Sequence, residues 1–419
     1  MERSVDGTQE TGVSTPLTAG VVCAVVGFAA TFAVVLGGLQ AVGATPEQAT
    51  SGLIMVTLMV GAASLLLSWH HRIPLVAAWS TPGAALLMNA PPVPGGWPGA
   101  VGAFLVCGLL LTLTGLWPLL ASLVGRIPSH IAQAVLAGVL LPLCVAPIKE
   151  LETSPLSILP VLAAWLLIGW WRPRWAVPGA LGVAVVVVAI SAAGSPPSFS
   201  GSMFIPHLEF IAPVFDLQAI AGIALPLYFI TMASQNIPGA AVLGSFGYQV
   251  PWRAGIVTTG VGSLIAAPFG GHAVNLAAIS AALAAGPEAG PLNRRWIAGV
   301  SAGATYVLLG LGAASLSVIM LAAPAGVLAA LSGVALIGTL ASAIAGAVAD
   351  RAHWDSSSVT FIVAASGFSA WGFSSACWAL AAGLLVQFLR TRAGTSADGK
   401  PMTAPRRSSG VPARWRARR

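Results

Sequence analysis

Charge is what this sequence has least of. Charged residues make up 7% of its 419 positions, whereas a soluble globular domain carries about a quarter. With hydrophobic residues at 57%, no soluble core has use for so much apolar surface. The few charges are also clustered, leaving empty stretches from Glu10 to Glu47, Arg72 to Arg126, Arg174 to Glu209, Asp216 to Arg253 and Arg295 to Asp350. Each has room for one or two membrane helices of about 20 residues.

Other absences narrow the function. The four cysteines, Cys23, Cys107, Cys144 and Cys377, stand singly in apolar runs with neither paired nor metal-ligand spacing. That points to packing or lipid-facing thiols and to no metal centre. There is no HExxH, no aspartate-rich prenyl-transfer motif and no nucleophile constellation, since nearly all acids fall in loops or tails. An enzyme is not expected, and no cofactor is implied. The apolar run from Leu17 to Leu39 is too long for a signal-peptide core of roughly 7 to 15 residues and is preceded by Glu10 with only Arg3 as a basic residue, so it reads as a retained span.

What is present is a long series of apolar runs. The expected fold is an all-α integral membrane protein with fourteen membrane-entering segments. A tail over 1–16 precedes seven segments within 17–194, near 17–39, 50–69, 74–88, 99–124, 130–147, 155–171 and 176–194. A Ser/Pro/Gly-rich extracytoplasmic connection over 195–213 follows. Seven more lie within 214–391, near 214–235, 253–268, 269–285, 296–317, 324–349, 356–372 and 374–390, the last pair being a hairpin with Gly372 near its turn. A basic, disordered tail occupies 392–419.

The positive-inside rule supports this parity. With a cytoplasmic N-terminus, every basic residue except Lys149 falls on the cytoplasmic side, including the nine from Arg390 onward. Both termini are thus expected in the cytoplasm of a multi-pass cell-membrane protein. The basic tail is expected to meet anionic lipid rather than nucleic acid.

Seven is odd, so a second set of seven with the same plan enters from the opposite side, an inverted repeat. Its third and tenth segments are short and interrupted at corresponding places, the strongest sequence pointer to a transporter's binding site. In Pro74-Leu-Val-Ala-Ala-Trp-Ser-Thr-Pro-Gly83, a hydroxyl residue before proline is a helix-start signal. A half-helix beginning near Thr81 inside the bilayer would offer unpaired N–H groups and a positive dipole end to an anion. The plainer alternative is a Pro/Gly kink in a continuous helix. In Pro268-Phe-Gly-Gly-His-Ala-Val-Asn-Leu-Ala-Ala-Ile-Ser280, either Gly271 or Asn275 is a candidate cap of the following half-helix, whose start would face the first.

His272 is the one histidine expected at membrane depth, where ionisable residues mark function by default. It is a candidate for pairing with an anionic substrate and for carrying the coupled proton, or for a neutral ring merely hydrogen-bonded in the bundle. His70, His71, His130, His207 and His353 read as interfacial. Tyr228, Met232, Gln235 and Asn236 close the eighth segment, with Gln235 and Asn236 either capping it or reaching substrate. Trp79, beside the first break, has the shape to stack on an aromatic ligand. The expected substrate-binding set is therefore Trp79, Ser80, Thr81, Tyr228, Gln235, His272 and Asn275.

Three stretches, IPLVAAWSTPGAALL (73–87), MASQNIPGAAVLGSFGYQVP (232–251) and PFGGHAVNLAAISAAL (268–283), resemble the benzoate:proton symporter family, and the likeness extends over about 17–391. The resemblance implies proton-coupled uptake of benzoate or a similar aromatic acid, possible homodimers, and, more distantly, the seven-plus-seven fold of nucleobase symporters and anion exchangers. That fold sets a core domain (segments one to four and eight to eleven) against a gate domain. Nucleobase symporters use membrane-embedded glutamates in segments eight and ten, and this chain has none there; Asp216 only enters the eighth, and Val274 and Asn275 stand near the expected position in the tenth. A site without acids suits an anion and leaves the proton carrier open between His272 and the substrate carboxyl. Another small anion, such as sulfate or a dicarboxylate, or a nucleobase is the competing cargo.

Overall fold

The computed structural model describes residues 14–124, 127–194, 205–321, 323–324, 326–370 and 373–397. The expectations for most of the N-terminal tail, for the connection before residue 205, for Gly372 and for the end of the basic tail lie outside these residues.

The first half contains α1 (Ser14–Ala41), α2 (Pro46–His71), β1 (Ala77–Trp79), α3 (Thr81–Met88), α4 (Gly96–Leu116), α5 (Pro118–Val124), α6 (Ser129–Glu150), α7 (Pro155–Trp171) and α8 (Ala176–Gly194). The second contains α9 (Leu217–Ser245), α10 (Trp252–Ala266), β2 (Val274–Leu276), α11 (Ile279–Ala285), α12 (Trp296–Leu321), α13 (Val327–Ala347), α14 (Trp354–Ala365) and α15 (Ser375–Ala397). Among the described residues, eight helices are long and apolar enough to cross a membrane: α1, α2, α4, α6, α8, α9, α12 and α13, two of them counted with the turn that precedes them. Of the other segments of the sequence reading, α14 has 12 residues and α10 has 15, whereas α15 has 23 but is not among the eight.

Local chemistry explains the boundaries. Thr45 and Gln48 form a reciprocal capping box at the start of α2, with Pro46 in the first turn. Past α10, Gly270 takes φ +90, a left-handed geometry that ends a helix without the penalty a side chain would bring. Helix α9 runs ten residues beyond the expected end at Gln235, through two π-helical turns at 220–224 and 232–236. Gln235 and Asn236 therefore lie inside the helix and do not cap it, because Ile237 continues the backbone ladder by donating to the Met232 carbonyl.

The packing repeats with the opposite sense in the two halves. As α1 and α2 pack on α12, so α9 and α10 pack on α4; as α7 pairs with α8, so α14 pairs with α15; and α2 meets α10 while α6 meets α13 across the axis between halves. This is the inverted repeat. One group of helices (α1 to α4, α9 to α12) forms a core around the two strands, and the remainder forms a second bundle that touches it where α1 meets α13 and α8 and where α3 and α9 meet α6.

Small residues allow the core helices to approach closely, as is usual where lipid supplies no hydrophobic drive between helices. A Cβ added at Gly303 of α12 would stand 2.7 Å from the Leu65 amide nitrogen and 2.8 Å from the Gly61 carbonyl oxygen of α2. At the equivalent α4–α10 contact, a Cβ at Gly260 would stand 2.5 Å from the Thr112 amide nitrogen. Outside the bundle, Arg174 and Glu288 tie the two halves by an exposed ion pair, and the hydrogen bond from that guanidinium holds the Glu288 carboxyl below its ordinary range.

Candidate functional site

The two interrupted segments meet as an antiparallel strand pair in the interior, with Ala77 opposite Leu276, Ala78 opposite Asn275 and Trp79 opposite Val274. The Ser80 amide donates to the Ala273 carbonyl (2.9 Å) and the Ala277 amide to the Val76 carbonyl (2.9 Å), lengthening the ladder at both ends. Two strands this short cannot satisfy their outer edges alone, and a buried amide without a partner is costly. Side chains of flanking helices close the gap. The Ser64 hydroxyl of α2 accepts from the Ala77 amide (2.9 Å), and the Ser263 hydroxyl of α10 accepts from the Val274 amide (2.8 Å). Each serine serves the first residue of its strand, so the inverted repeat extends to single hydrogen bonds. Within α9, the Asn236 Oδ1 accepts from the Leu276 amide (2.8 Å). The π-helical turn at 232–236 inserts an extra residue there, a feature found often at functional sites.

Helix α3 starts as its sequence predicts. Ser80 is the N-cap, its Oγ accepting from the Gly83 amide (3.1 Å), with Pro82 in the first turn. This is a true half-helix rather than a kink. In the second half the expectation needs correction: neither Gly271 nor Asn275 caps α11. Asn275 belongs to β2, and the cap residue is Ala278, which provides no side-chain hydrogen bond. Pairing with β1 keeps residues 274–276 extended, so the helix starts later and has only seven residues.

Ser80 is the hub. Its Oγ accepts also from Thr231 Oγ1 of α9 (2.7 Å), and its carbonyl oxygen lies 3.0 Å from His272 Nε2. Ser80, Thr231 and His272 all have no exposed surface. A carbonyl oxygen only accepts, so Nε2 carries the imidazole proton and Nδ1 presents a lone pair. That Nδ1 has no partner, nor has Asn275 Oδ1, whose amide group donates to the Leu276 carbonyl (2.8 Å). Because Ser80 Oγ accepts twice, its own O–H is available to donate. The crossing thus offers a hydroxyl donor and two buried acceptors, with no carboxylate in β1, α3, β2, α11 or along α9. Orphaned buried polar atoms cost about 1–3 kcal/mol each and mark places for an exchangeable partner. The carboxyl group, able to accept from a hydroxyl and, when protonated, to donate to a lone pair, matches this set.

The other expected residues are distributed around the hub. Thr81 opens α3 and is half-buried. The Tyr228 hydroxyl, one turn before Thr231, sits 2.5 Å from Thr114 Oγ1 of α4. Gln235 is half-buried within the second π-helical turn. The Trp79 indole is only 3% exposed, packed edge-on against Phe28 and Tyr306, and donates to Thr31 Oγ1 (2.8 Å). Its ring is thereby engaged by α1 and α12. Sequence reasoning missed Thr231, Ser64 and Ser263. For the two serines the signal available was a hydroxyl residue in the helix before each interrupted segment.

A separate cavity of about 400 Å³ lies between α6, α9 and α15, lined among others by Phe229, Ile230, Ala233, Ala376 and Leu380. Thr231 and Asn236 are not among its lining residues, and none of the described residues that line it is charged.

The family model described as benzoate membrane transport protein matches residues 10–389. Among curated relatives, the inner membrane protein YdcO of Escherichia coli K12 is 35% identical over 374 residues, covering 88% of this chain and 93% of that protein. The benzoate membrane transport protein of Acinetobacter baylyi is 29% identical over 384 residues, covering 88% and 94%. Among solved structures, the transmembrane domain of the cyanobacterial bicarbonate transporter BicA superposes with a TM-score of 0.60 at 18% identity, covering 89% of this chain and 97% of that one. SLC26A9 superposes with a TM-score of 0.62 at 12% identity, covering 92% and 66%. The structural likenesses concern the fold.

Proposed function

The chain belongs to the benzoate membrane transport protein family, and from that premise we propose that this membrane transporter takes up benzoate, or a related aromatic carboxylate, together with protons across the cytoplasmic membrane. The observation that carries the reading is the Ser80–His272 contact at the strand crossing, which joins a residue whose hydroxyl is free to donate to a buried imidazole whose Nδ1 has no partner, on segments that carry no acid. A carboxylate in such a site meets no like charge, and a proton has two possible resting places, His272 Nδ1 or the carboxyl itself. Either gives a net neutral pair, which is what a dry interior tolerates.

In this reading Ser80 and the start of α3 hold the carboxyl, with Thr81, Gln235 and Asn275 around it, and Tyr228 buttresses α9 against α4. The core carries the strand pair past the bundle of α6 to α8 and α13 to α15, in a rocking or elevator-like motion. The clustering of basic residues supports a topology with Arg72, Arg172, Arg253 and Arg351, and with them both termini, on the cytoplasmic side.

The test is uptake of radiolabelled benzoate into proteoliposomes with an acidic exterior. Accumulation above protein-free vesicles, abolished by a protonophore, is expected; equal uptake by both kinds of vesicle rejects the proposal. Unlabelled planar aromatic acids are expected to compete, and sulfate, dicarboxylates and bicarbonate are not.

A further inference from the structure

A second group of titratable side chains stands far from the strand crossing, where the first turn of α6 meets the turn before α14. The rings of His130 and His353 stack face to face, with centroids 4.3 Å apart and planes within 2°. His130 is 8% exposed, so at this helix end it is packed against protein. The Ser356 hydroxyl donates to the His353 carbonyl (2.9 Å) and lies 3.4 Å from His130 Nε2. Having spent its proton, that hydroxyl accepts, so His130 carries its hydrogen on Nε2 and would take up a second on Nδ1. Asp350 Oδ2 lies 3.7 Å from His353 Nε2, while its Oδ1 caps the turn by accepting from the Ala352 amide (3.0 Å).

From this geometry we infer that His130 and His353 form a second proton-binding site, one that holds a single proton and yields when it must hold two. One imidazolium stacked on a neutral ring, with Asp350 beside it, is a stable arrangement. Two imidazolium rings in parallel contact repel, and one carboxylate cannot compensate both. The remaining charged groups nearby are committed or turned elsewhere: Asp355 pairs with Arg390 of α15, and the Arg351 guanidinium lies over the Trp354 ring. From α15, Gln387 faces His130 with an uncharged amide. Protons reach the pair from solvent, since the His353 and Asp350 side chains are 39% and 63% exposed.

The position gives the site a consequence. Helix α6 packs against α14 at one end, and along its length it touches α9 near its second π-helical turn and α3, where the Asn89 amide donates to the Val139 carbonyl (3.3 Å). Double protonation would loosen the first turn of α6 from α14 and so relax the bundle against which the core moves. On the proposed topology, on which this consequence rests, the pair faces the cytoplasm and senses the acidification that proton-coupled uptake of an acid produces there.

Separated imidazoles of an unfolded chain titrate near pH 6.5 and bind the second proton more readily than the folded pair, so folded-state stability falls as pH falls through that range. Thermal unfolding of the detergent-solubilised full chain between pH 8 and pH 5 is the direct measurement, and it needs no substrate. The other four histidines are common to all the variants, so the informative quantity is the difference between curves. His353→Gln is expected to lessen the loss in Tm between pH 7 and 5.5 by several degrees. Asp350→Asn, which keeps both rings, is expected to start the loss at higher pH. Three superimposed curves overturn the inference, whatever becomes of the benzoate reading. In proteoliposomes, acidifying the face that bears Arg351 is expected to slow labelled-benzoate exchange several-fold in the wild type and much less in His353→Gln; equal slowing in both also overturns it.

Discussion

The hydroxyl of Thr231 donates to the hydroxyl of Ser80 across 2.7 Å, although 151 residues separate them in the chain. This contact joins α9 to the start of α3 and decides which way the Ser80 proton points, because an oxygen accepting from both Thr231 and the Gly83 amide has only its own O–H left to offer.

Thr231 is therefore a positioning residue for Ser80. Thr231→Val keeps the shape and removes the donor, and a lost buried hydrogen bond costs about 1 kcal/mol, roughly fivefold in affinity. A rise of about that size in the half-saturating benzoate concentration is expected with little change in maximal rate, and Thr231→Ser should restore it. A fall in maximal rate alone would place Thr231 in the moving contact instead.

His272→Ala removes the only imidazole at the strand crossing. We expect proton-driven accumulation to be lost, or its pH profile to shift, while the amount of protein in the membrane stays normal. Wild-type uptake at every pH between 5 and 8 would reduce His272 to a packing residue.

Ser64→Ala and Ser263→Ala each strand the first amide of a strand in a dry interior. Each is expected to destabilise the protein by about 1–3 kcal/mol. Because the two serines tether opposite edges of one small sheet, the double variant is expected to lose more than the sum of the two. Thermal unfolding in detergent gives all three values, and strict additivity would show the edges to be independent.

Gly303→Val tests the α2–α12 contact. With backbone atoms of Leu65 and Gly61 within 2.8 Å of the added Cβ position, the helices must move apart, and overpacking of this kind costs about 1–3 kcal/mol or more. Low yield of folded protein is expected, whereas the same change at Gly312, which has nothing within 4 Å, should be tolerated. Equal yields of the two variants would mean that α2 and α12 can separate freely.

The sequence carried much of the site as well as the fold. Scarcity of charge, the placement of arginines and the odd count of segments pointed to an inverted repeat. The Ser-Thr-Pro run fixed the start of α3, because N-capping depends on a residue's own side chain and its near neighbours. Where the reading failed, a distant contact had overridden a local signal. Asn275 has the chemistry of a cap, but β1 holds it in a strand; Gln235 and Asn236 have the polarity of a helix end, but the π-helical turn carries the helix through them.

Trp79 shows the same division. Beside an interrupted segment it has the shape of a stacking platform, and only the fold reveals Phe28, Thr31 and Tyr306 around its indole. Composition and periodicity report how each residue partitions between lipid, water and its neighbours along the chain, so by itself the sequence determined the membrane class, the repeat and the broken segments. Which hydroxyl meets which carbonyl depends on chain segments some two hundred residues apart arriving at one crossing. The Ser80, Thr231 and His272 cluster, and the stacked pair of His130 and His353, were therefore decided by the tertiary structure alone.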